Sequence, residues 1–251
     1  MKLERDLDAS CFAFEGDYGQ AQYLGVGMIN GIADVSIDEE LRKMTHNSVF
    51  QVLDGTCRLF VKPFSKNYSM WQLTFPLTIK SEEIAHYINE ILPDKNKLLE
   101  WAKSKVEGWT HPIPLFVGST SPDMMRGGLL HQSKLLSYDT LPSTKFQNVT
   151  IIGDSVHAMA PFKGQGMNNA LCDVEELTDM LKKEFVENDG NLFFSKVFKM
   201  FEPKMINRSY KMVIKSKRLV DFLHSTDATD KEKHENHYRN LQHQDWRKDF
   251  K

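Results

Sequence analysis

The sequence predicts an α/β protein of α+β character: an antiparallel sheet comes first, and a strand–loop–helix unit follows. Three observations carry this. Two apolar runs, residues 49–53 and 57–64, flank Asp54-Gly55-Thr56, and Asp-Gly between apolar runs is a strong hairpin signal. From residue 82 the apolar spacing changes to three and four, the helical period. Val149-Thr150-Ile151-Ile152 is then a continuous β-branched run, followed by a glycine-containing loop that opens a long amphipathic stretch.

Each element has its own reason. Residues 23–33 mix apolar residues with glycines, which reads as a strand with room for a bulge near Gly25 or Gly27. Residues 69–77 alternate and end at Pro76, so they form a third strand beside the hairpin, completing an antiparallel meander. Residues 82–92 place Ile84, Tyr87, Ile88 and Ile91 on one helical face. Residues 97–106 do the same with Leu98, Trp101, Ala102 and Lys105, and Pro93 separates the two. Pro112 and Pro114 make residues 109–120 a loop or a short, interrupted helix, and residues 129–138 read as one or two short strands. The β-branched run at 149–152 reads as a buried strand. A helix over 166–185 follows, with Met167, Ala170, Leu171, Val174, Leu177, Leu181 and Phe185 at helical spacing. Residues 193–222 read as one or two helices, with Pro203 at a break or a first turn. From His224 the chain is polar and mixed in charge, a solvated tail or isolated terminal helix. The implied division is 1–145 for the sheet with its helices, 146–223 for the strand–loop–helix unit and following helices, and 224–251 for the tail.

Composition excludes several classes. The chain has 251 residues, of which 41% are hydrophobic and 26% charged, so it can bury a core and is not disordered throughout. Its 32 basic and 34 acidic residues leave a net charge of −2, with no basic excess for nucleic acid and no charge block for a lipid surface. No apolar run approaches the roughly 18 residues of a membrane span. The charged start, Met1-Lys2-Leu3-Glu4-Arg5-Asp6, does not fit a secretory signal. Cys11, Cys57 and Cys172 form no CxxC pair, which fits a reducing, cytoplasmic setting and neither a disulfide framework nor a zinc site. His234, His237 and His243 make no HExxH motif, so no metal site is expected.

The chemistry is concentrated in residues 149–177. A strand ending at Gly153-Asp154 delivers a carboxylate to the end of a sheet where open α/β folds bind ligands. Pro161 stiffens the connection, and Gly164-Gln165-Gly166 opens the helix. Glycines there let a ligand approach the backbone, and the first helical amides lack intrahelical partners and favour negative charge. The segment is suited to a ligand with hydroxyls at one point and a carbonyl or developing anion nearby. The same pattern also fits a plain crossover whose glycines serve only packing. His157, beside Val156 and Met159, reads as a turn or packing residue in preference to a general base.

Gly153, Asp154, His157, Pro161, Gly164, Gly166, Asn168, Ala170 and Asp173 fall in register with GD-x-x-H-x-x-x-P-x-x-G-x-G-x-N-x-A-x-x-D. In this the segment resembles the FAD-dependent aromatic-ring monooxygenases of the p-hydroxybenzoate hydroxylase fold, which include tetracycline-inactivating relatives. Ser155-Val156 stand where that family commonly has two alanines. Trp109-Thr110-His111-Pro112 upstream, and Phe201-Glu202 with Arg208 downstream, extend the resemblance more weakly. A second signature, the G-W-x-W-x-I-P of flavin-dependent halogenases, is only approached by Gly108-Trp109-Thr110-His111-Pro112-Ile113-Pro114, where His111 replaces the second Trp.

The resemblance implies FAD as cofactor, NAD(P)H and O2 as co-substrates, and an aromatic or polycyclic small molecule as substrate. It implies that Asp154 binds ribityl hydroxyls. The backbone at Gly164, Gln165, Gly166, Met167 and Asn168 would face the N1–C2=O edge of the flavin, and Pro161 would lie along the ring. The flavin carries the chemistry, so no catalytic side chain is assigned.

The family's opening GxGxxG unit is absent from this sequence. Gly25-Val26-Gly27-Met28-Ile29-Asn30 has Asn at the third position and strand-like residues where a helix should open. Asp54-Gly55 is flanked by hairpin strands and is not the family's middle Asp-Gly. The resemblance therefore covers a truncated, later portion of such an enzyme. That implies weakened flavin binding and an unpaired apolar sheet edge. A fragment, a non-catalytic remnant binding a hydrophobic ligand or partner, and one half of a split enzyme with a separate N-terminal half all stay open.

Overall fold

The computed structural model describes residues 21–79, 82–134 and 141–235. The chain has an α/β fold with a five-stranded antiparallel-type sheet and a helical segment. The sheet comprises β1 (Ala21–Asp34), β2 (Phe50–Leu53), β3 (Arg58–Ser65), β4 (Tyr68–Pro76) and β5 (Thr120–Ser133), in the order β2-β3-β4-β1-β5. The helices are α1 (Glu39–Thr45), α2 (Glu82–His86, continued by a π-helical turn Tyr87–Ile91), α3 (Lys95–Lys105), α4 (Ile113–Gly118), α5 (Pro142–Lys145), α6 (Asp154–His157), α7 (Gly166–Glu187) and α8 (Phe194–Leu223). No helix among the described residues is long and apolar enough to cross a membrane.

Two compact units divide the chain. Among the described residues, one takes Gly25–Leu130 and Asp221–Glu235; the other takes Ala21–Leu24 and His131–Val220.

In the sheet unit the expected meander forms. Asp54 Oδ1 accepts hydrogen bonds from the backbone amides of Thr56 (2.8 Å) and Cys57 (2.6 Å) and from Thr56 Oγ1 (2.9 Å). Gly55 takes φ 91°, which permits the turn and sets Leu53 opposite Arg58. Burial alone would raise the Asp54 carboxyl, but these donors and Trp109 Nε1 (3.1 Å) outweigh it and hold the pKa down. The core beneath the strands contains Ile29, Leu59, Trp71, Leu73 and Phe75, all fully buried.

The Gly25-Val26-Gly27 sequence lies within strand β1, not at the start of a helix. Gly27 stands opposite Phe75 and Gly31 opposite Trp71. A Cβ at Gly27 would fall 2.5 Å from Phe75 Cε2, and one at Gly31 would fall 2.4 Å from Trp71 Cε2. These glycines let two aromatic side chains lie across the strand. The β1–β4 register runs without a shift from Val26 to Asp34, so of the two places expected for a bulge, near Gly25 or Gly27, none forms against β4 at Gly27. Gly25, at φ 77°, precedes that run.

Several expectations need correction. The strand expected within 129–138 begins at Thr120, because apolar packing at Met125 and Leu130 carries the pairing backward past Gly127-Gly128; residues 135–138 lie outside the described residues. Of the one or two helices expected over 193–222, a single 30-residue α8 forms, and Pro203 lies inside it, neither at a break nor in a first turn. Its buried Phe198, Phe201, Met205, Ile206, Met212 and Val213 offset a proline cost of about 3 kcal/mol. The tail does not start as solvated chain. His224 Nε2 meets Thr74 Oγ1 at 2.9 Å, a 3-10 turn covers Thr226–Thr229, and Ala228 is buried. His237 and His243 lie outside the described residues.

The largest correction is at 149–152. These residues form no strand, and among the described residues they make no backbone–backbone hydrogen bond; the Ile152 carbonyl accepts from Ser155 Oγ at 2.7 Å. A β-branched run favours the extended form, yet a strand exists only where a neighbour pairs with it.

Candidate functional site

The turn after residue 152 is built by Gly153, at φ 62° and ψ −143°, a region that suits glycine. Its carbonyl accepts from the amides of Val156 and His157, both at 3.0 Å, and so starts the short α6. Its own amide donates to Asp173 Oδ2 at 2.8 Å. His157 Nε2 meets the same oxygen at 2.6 Å, and Arg208 Nη2 donates to Asp173 Oδ1 at 2.5 Å. Arg208 Nη1 also donates to Glu176. His157 and Asp173 are buried, so the turn, α7 and α8 are tied together through one carboxylate. Burial would raise the Asp173 pKa, but the hydrogen bond from His157, the Gly153 amide, the charge of His157 and the Arg208 hydrogen bond together hold it below the usual carboxylate range.

A second buried carboxylate holds the approach to the turn. Glu202 on α8 accepts from the Ser143 amide, from Ser143 Oγ at 2.6 Å and from Thr150 Oγ1 at 2.8 Å. Ile151 and Ile152 pack with Leu177 and Met180 against Leu141, Val156, Phe201, Met205 and Ile206. After the turn the loop is pinned twice. Ser133 and Ala158 exchange two hydrogen bonds of 2.8 Å, and Ser216 Oγ donates to the Ala160 carbonyl at 2.7 Å.

The rigid frame leaves the loop's outer side open. Asp154 is exposed, and its Oδ1 lies 3.6 Å from where a Cβ on Gly166 would stand. The structure thus brings together two residues twelve positions apart. Pro161 opens a 3-10 turn closed by Gly164 at φ 61°, in the left-handed region, where a side chain would meet open space. α7 starts at Gly166 with Gln165 as N-cap. No side chain caps its amides, and no acidic residue occupies its first turn. Met167 and Asn168 are exposed beside it. The arrangement offers one carboxylate acceptor, a row of free amides and the positive end of a 22-residue helix around glycines that admit a ligand. A flavin with ribityl hydroxyls and an N1–C2=O edge fits that donor and acceptor set.

His157 holds the turn, as the sequence reading has it; Asp173, Arg208 and Glu202 were only positions of the resemblance, and their joint hub with Glu176 and the pin at Ser143 and Thr150 had no role assigned from sequence. Asp173 and Glu184 lie off the apolar positions of the same long helix, so its period did not mark them as buried.

Comparison with known proteins shows what the chain is similar to. A family model described as an FAD binding domain matches residues 139–190. The FAD-dependent monooxygenase phnB of Penicillium herquei is 29% identical over 127 residues, covering 50% of this chain and 29% of that protein. Kynurenine 3-monooxygenase of Dictyostelium discoideum is 28% identical over 162 residues, 63% of this chain and 28% of that protein. Klebsiella pneumoniae HpxO, solved with FAD and uric acid, is similar with a TM-score of 0.64 at 17% identity, over 92% of this chain and 55% of that one. The tetracycline destructase Tet(51) is similar with a TM-score of 0.51 at 15% identity, over 82% of this chain and 48% of that one. The fold is that of FAD-dependent monooxygenase-like structures. The chain spans about half the length of those solved structures, and the matched part is under a third of the curated relatives.

Proposed function

We propose that this chain carries the flavin-facing, later part of an FAD-dependent monooxygenase acting on an aromatic small molecule. The observation that supports it most is the meeting of Asp154 with Gly166 at an uncapped helix start. Asp154 accepts hydrogen bonds from ribityl hydroxyls. The Gly164 amide is taken by the Pro161 carbonyl at 3.0 Å, against the sequence expectation, so the amides at Gln165, Gly166, Met167 and Asn168 would face the N1–C2=O edge and favour negative charge there, an effect of roughly 0.3–1 kcal/mol when exposed and up to ~2 when partly buried. Pro161, which opens the 3-10 turn, would lie along the ring. When bound, FAD supplies the oxygen chemistry, with NAD(P)H as reductant and O2 as co-substrate. His157 takes no part in proton transfer in this reading, because it is buried against Asp173 and only holds the turn.

A second reading has a specific observation behind it. Among the described residues, 149–152 make no backbone–backbone hydrogen bond, which favours a flavin site that reaches full affinity only with further polypeptide.

The test is the visible spectrum of the purified chain after incubation with FAD and desalting. Retained flavin absorbance is expected, and Asp154→Ala should abolish it without moving the thermal midpoint, since Asp154 is exposed. Equal flavin affinity in that variant would exclude the site. A folded but colourless wild type would favour the second reading.

A further inference from the structure

The turn joining α7 to α8 has its polar and apolar groups inverted. Its polar groups bond inward. Asn188 Nδ2 donates to the Glu184 carbonyl at 2.7 Å, and Asn191 Nδ2 donates to the Asn188 carbonyl at 3.0 Å. The Gly190 amide donates to the Phe185 carbonyl at 2.9 Å. Glu184 is buried and accepts from Lys196 Nζ at 2.6 Å, which ties the start of α8 to the end of α7. The large apolar side chains face water instead. Val186 is 77% exposed, Phe193 54% and Phe185 51%, and Leu192 and Phe194 are exposed as well. These residues fall between positions 185 and 194, and exposed apolar surface so concentrated marks an interaction site. Helix α7 has 22 residues, so the turn lies about 33 Å along it from Gly166 and is separate from the flavin-type loop.

We propose that this turn is a lipid-docking tip, whose apolar side chains enter the acyl boundary of a bilayer while Lys182, Lys183, Lys196 and Lys199 meet its headgroups. The order of residues selects the partner. Lys182 and Lys183 stand one helical turn before Phe185 and Val186, and Lys196 and Lys199 follow Phe194. Moving away from the turn along either helix, apolar groups come first and exposed ammonium groups about 5 Å later. That is the depth profile of an interfacial anchor: the apolar part sits roughly 5–10 Å into the headgroup and acyl boundary, and lysines extend back to the phosphates. The carboxylates nearby are Glu187, 3.7 Å from Lys183, Asp189 and the buried Glu184, so the rim keeps a net positive charge that suits anionic lipid. The turn divides the lysines in sequence, so they form no charge block there. A protein partner needs a cavity shaped to these side chains, whereas a bilayer accepts them in any rotamer and demands only this order of depth. Docking here involves neither Asp154 nor Gly166, and it stands whether or not the chain holds a flavin.

The test is co-sedimentation of the full chain, without added cofactor, with vesicles of phosphatidylcholine alone and with phosphatidylserine included. Binding to both is expected, tighter by about fivefold or more on the anionic vesicles. Val186→Gln with Phe193→Gln should weaken it about tenfold or more and leave circular dichroism unchanged, because both side chains are exposed. Lys182→Gln with Lys199→Gln should remove only the preference for anionic lipid. A folded chain that binds neither vesicle overturns the proposal, and so does equal binding by the Val186 and Phe193 variant. Amide hydrogen exchange of the unaltered chain decides even if a variant fails to fold: vesicles should protect residues 185–194, and protection confined to other segments overturns the proposal. Doubled mass in lipid-free sedimentation that the apolar variant abolishes would place a second copy on the tip and overturn it too.

Discussion

Asp173→Ala is expected to lower the stability of the chain by about 3–5 kcal/mol, the range for breaking a buried ion pair from one side. The carboxylate serves three donors at once: the Gly153 amide, His157 Nε2 and Arg208 Nη2. Its removal leaves a buried amide and a buried imidazole without an acceptor and leaves Arg208 with Glu176 alone. Asp173→Asn preserves volume but turns an amide donor toward existing donors, so it should recover only part of the loss. Urea unfolding followed by far-ultraviolet circular dichroism measures both. The pH dependence has a definite sign. Because the folded-state pKa of Asp173 lies below its unfolded value, the carboxylate's contribution is complete above that unfolded value. It is lost as pH falls through the folded value. The stability gap between wild type and Asp173→Ala should therefore be full at pH 7 and shrink below about pH 4. A gap that stays constant to pH 2 would show that the carboxylate's charge is not what holds the turn. A further consequence links fold to site. Asp154 follows the glycine that Asp173 holds, so Asp173→Ala should also weaken any flavin retention, by displacing Asp154 and not by removing a contact.

The hairpin and the flavin-type segment were legible in the sequence because their signals are local. Asp54-Gly55-Thr56 carries its own acceptor and its own positive-φ residue, and the structure uses both. The spacing from Gly153 to Asp173 is one continuous segment, so its glycines and Asp154 could be read together. The missed features depend on partners distant in sequence. Residues 149–152 have the composition of a buried strand, yet pairing is supplied by another strand and cannot be read from the run itself. Helix α7 shows the same limit in another form. Its period marks an apolar face, but the structure buries the polar one, because Arg208 and the Gly153 amide make Asp173 the better-satisfied neighbour. The Asp173–Arg208 ion pair and the hydrogen bonds from Ser143 to Glu202 join residues 35 and 59 positions apart, and no spacing rule announces such partners.

Gly31→Val is expected to be the other severe substitution, and it decides what the glycines of β1 are for. A Cβ at residue 31 would stand 2.4 Å from Trp71 Cε2 and Cζ2 and 2.7 Å from its Nε1. Trp71 cannot yield freely, because it is fully buried and its Nε1 donates to Thr120 Oγ1 at 2.8 Å. Shifting the indole forces overpacking of about 1–3 kcal/mol. Breaking its buried hydrogen bond adds about 1–3 kcal/mol more. Gly27→Ala should act the same way through Phe75, whose ring is buried edge-on against Tyr87 with centroids 5.4 Å apart. Gly128→Ala is the control, since a Cβ there meets nothing within 4 Å, and it should change stability by less than about 0.5 kcal/mol. A double-mutant cycle of Gly31→Val with Trp71→Leu should be strongly non-additive, because the second change empties the space that the first fills. If instead Gly27→Ala left stability untouched and altered only cofactor affinity, β1 would be contributing glycines to a ligand loop, and the assignment of these residues to aromatic packing would fall. The register opposes that outcome. Gly27 and Gly31 are four residues apart on one face of a strand, directly across from the two rings, which is the periodicity of a sheet and not of a loop opening into a helix.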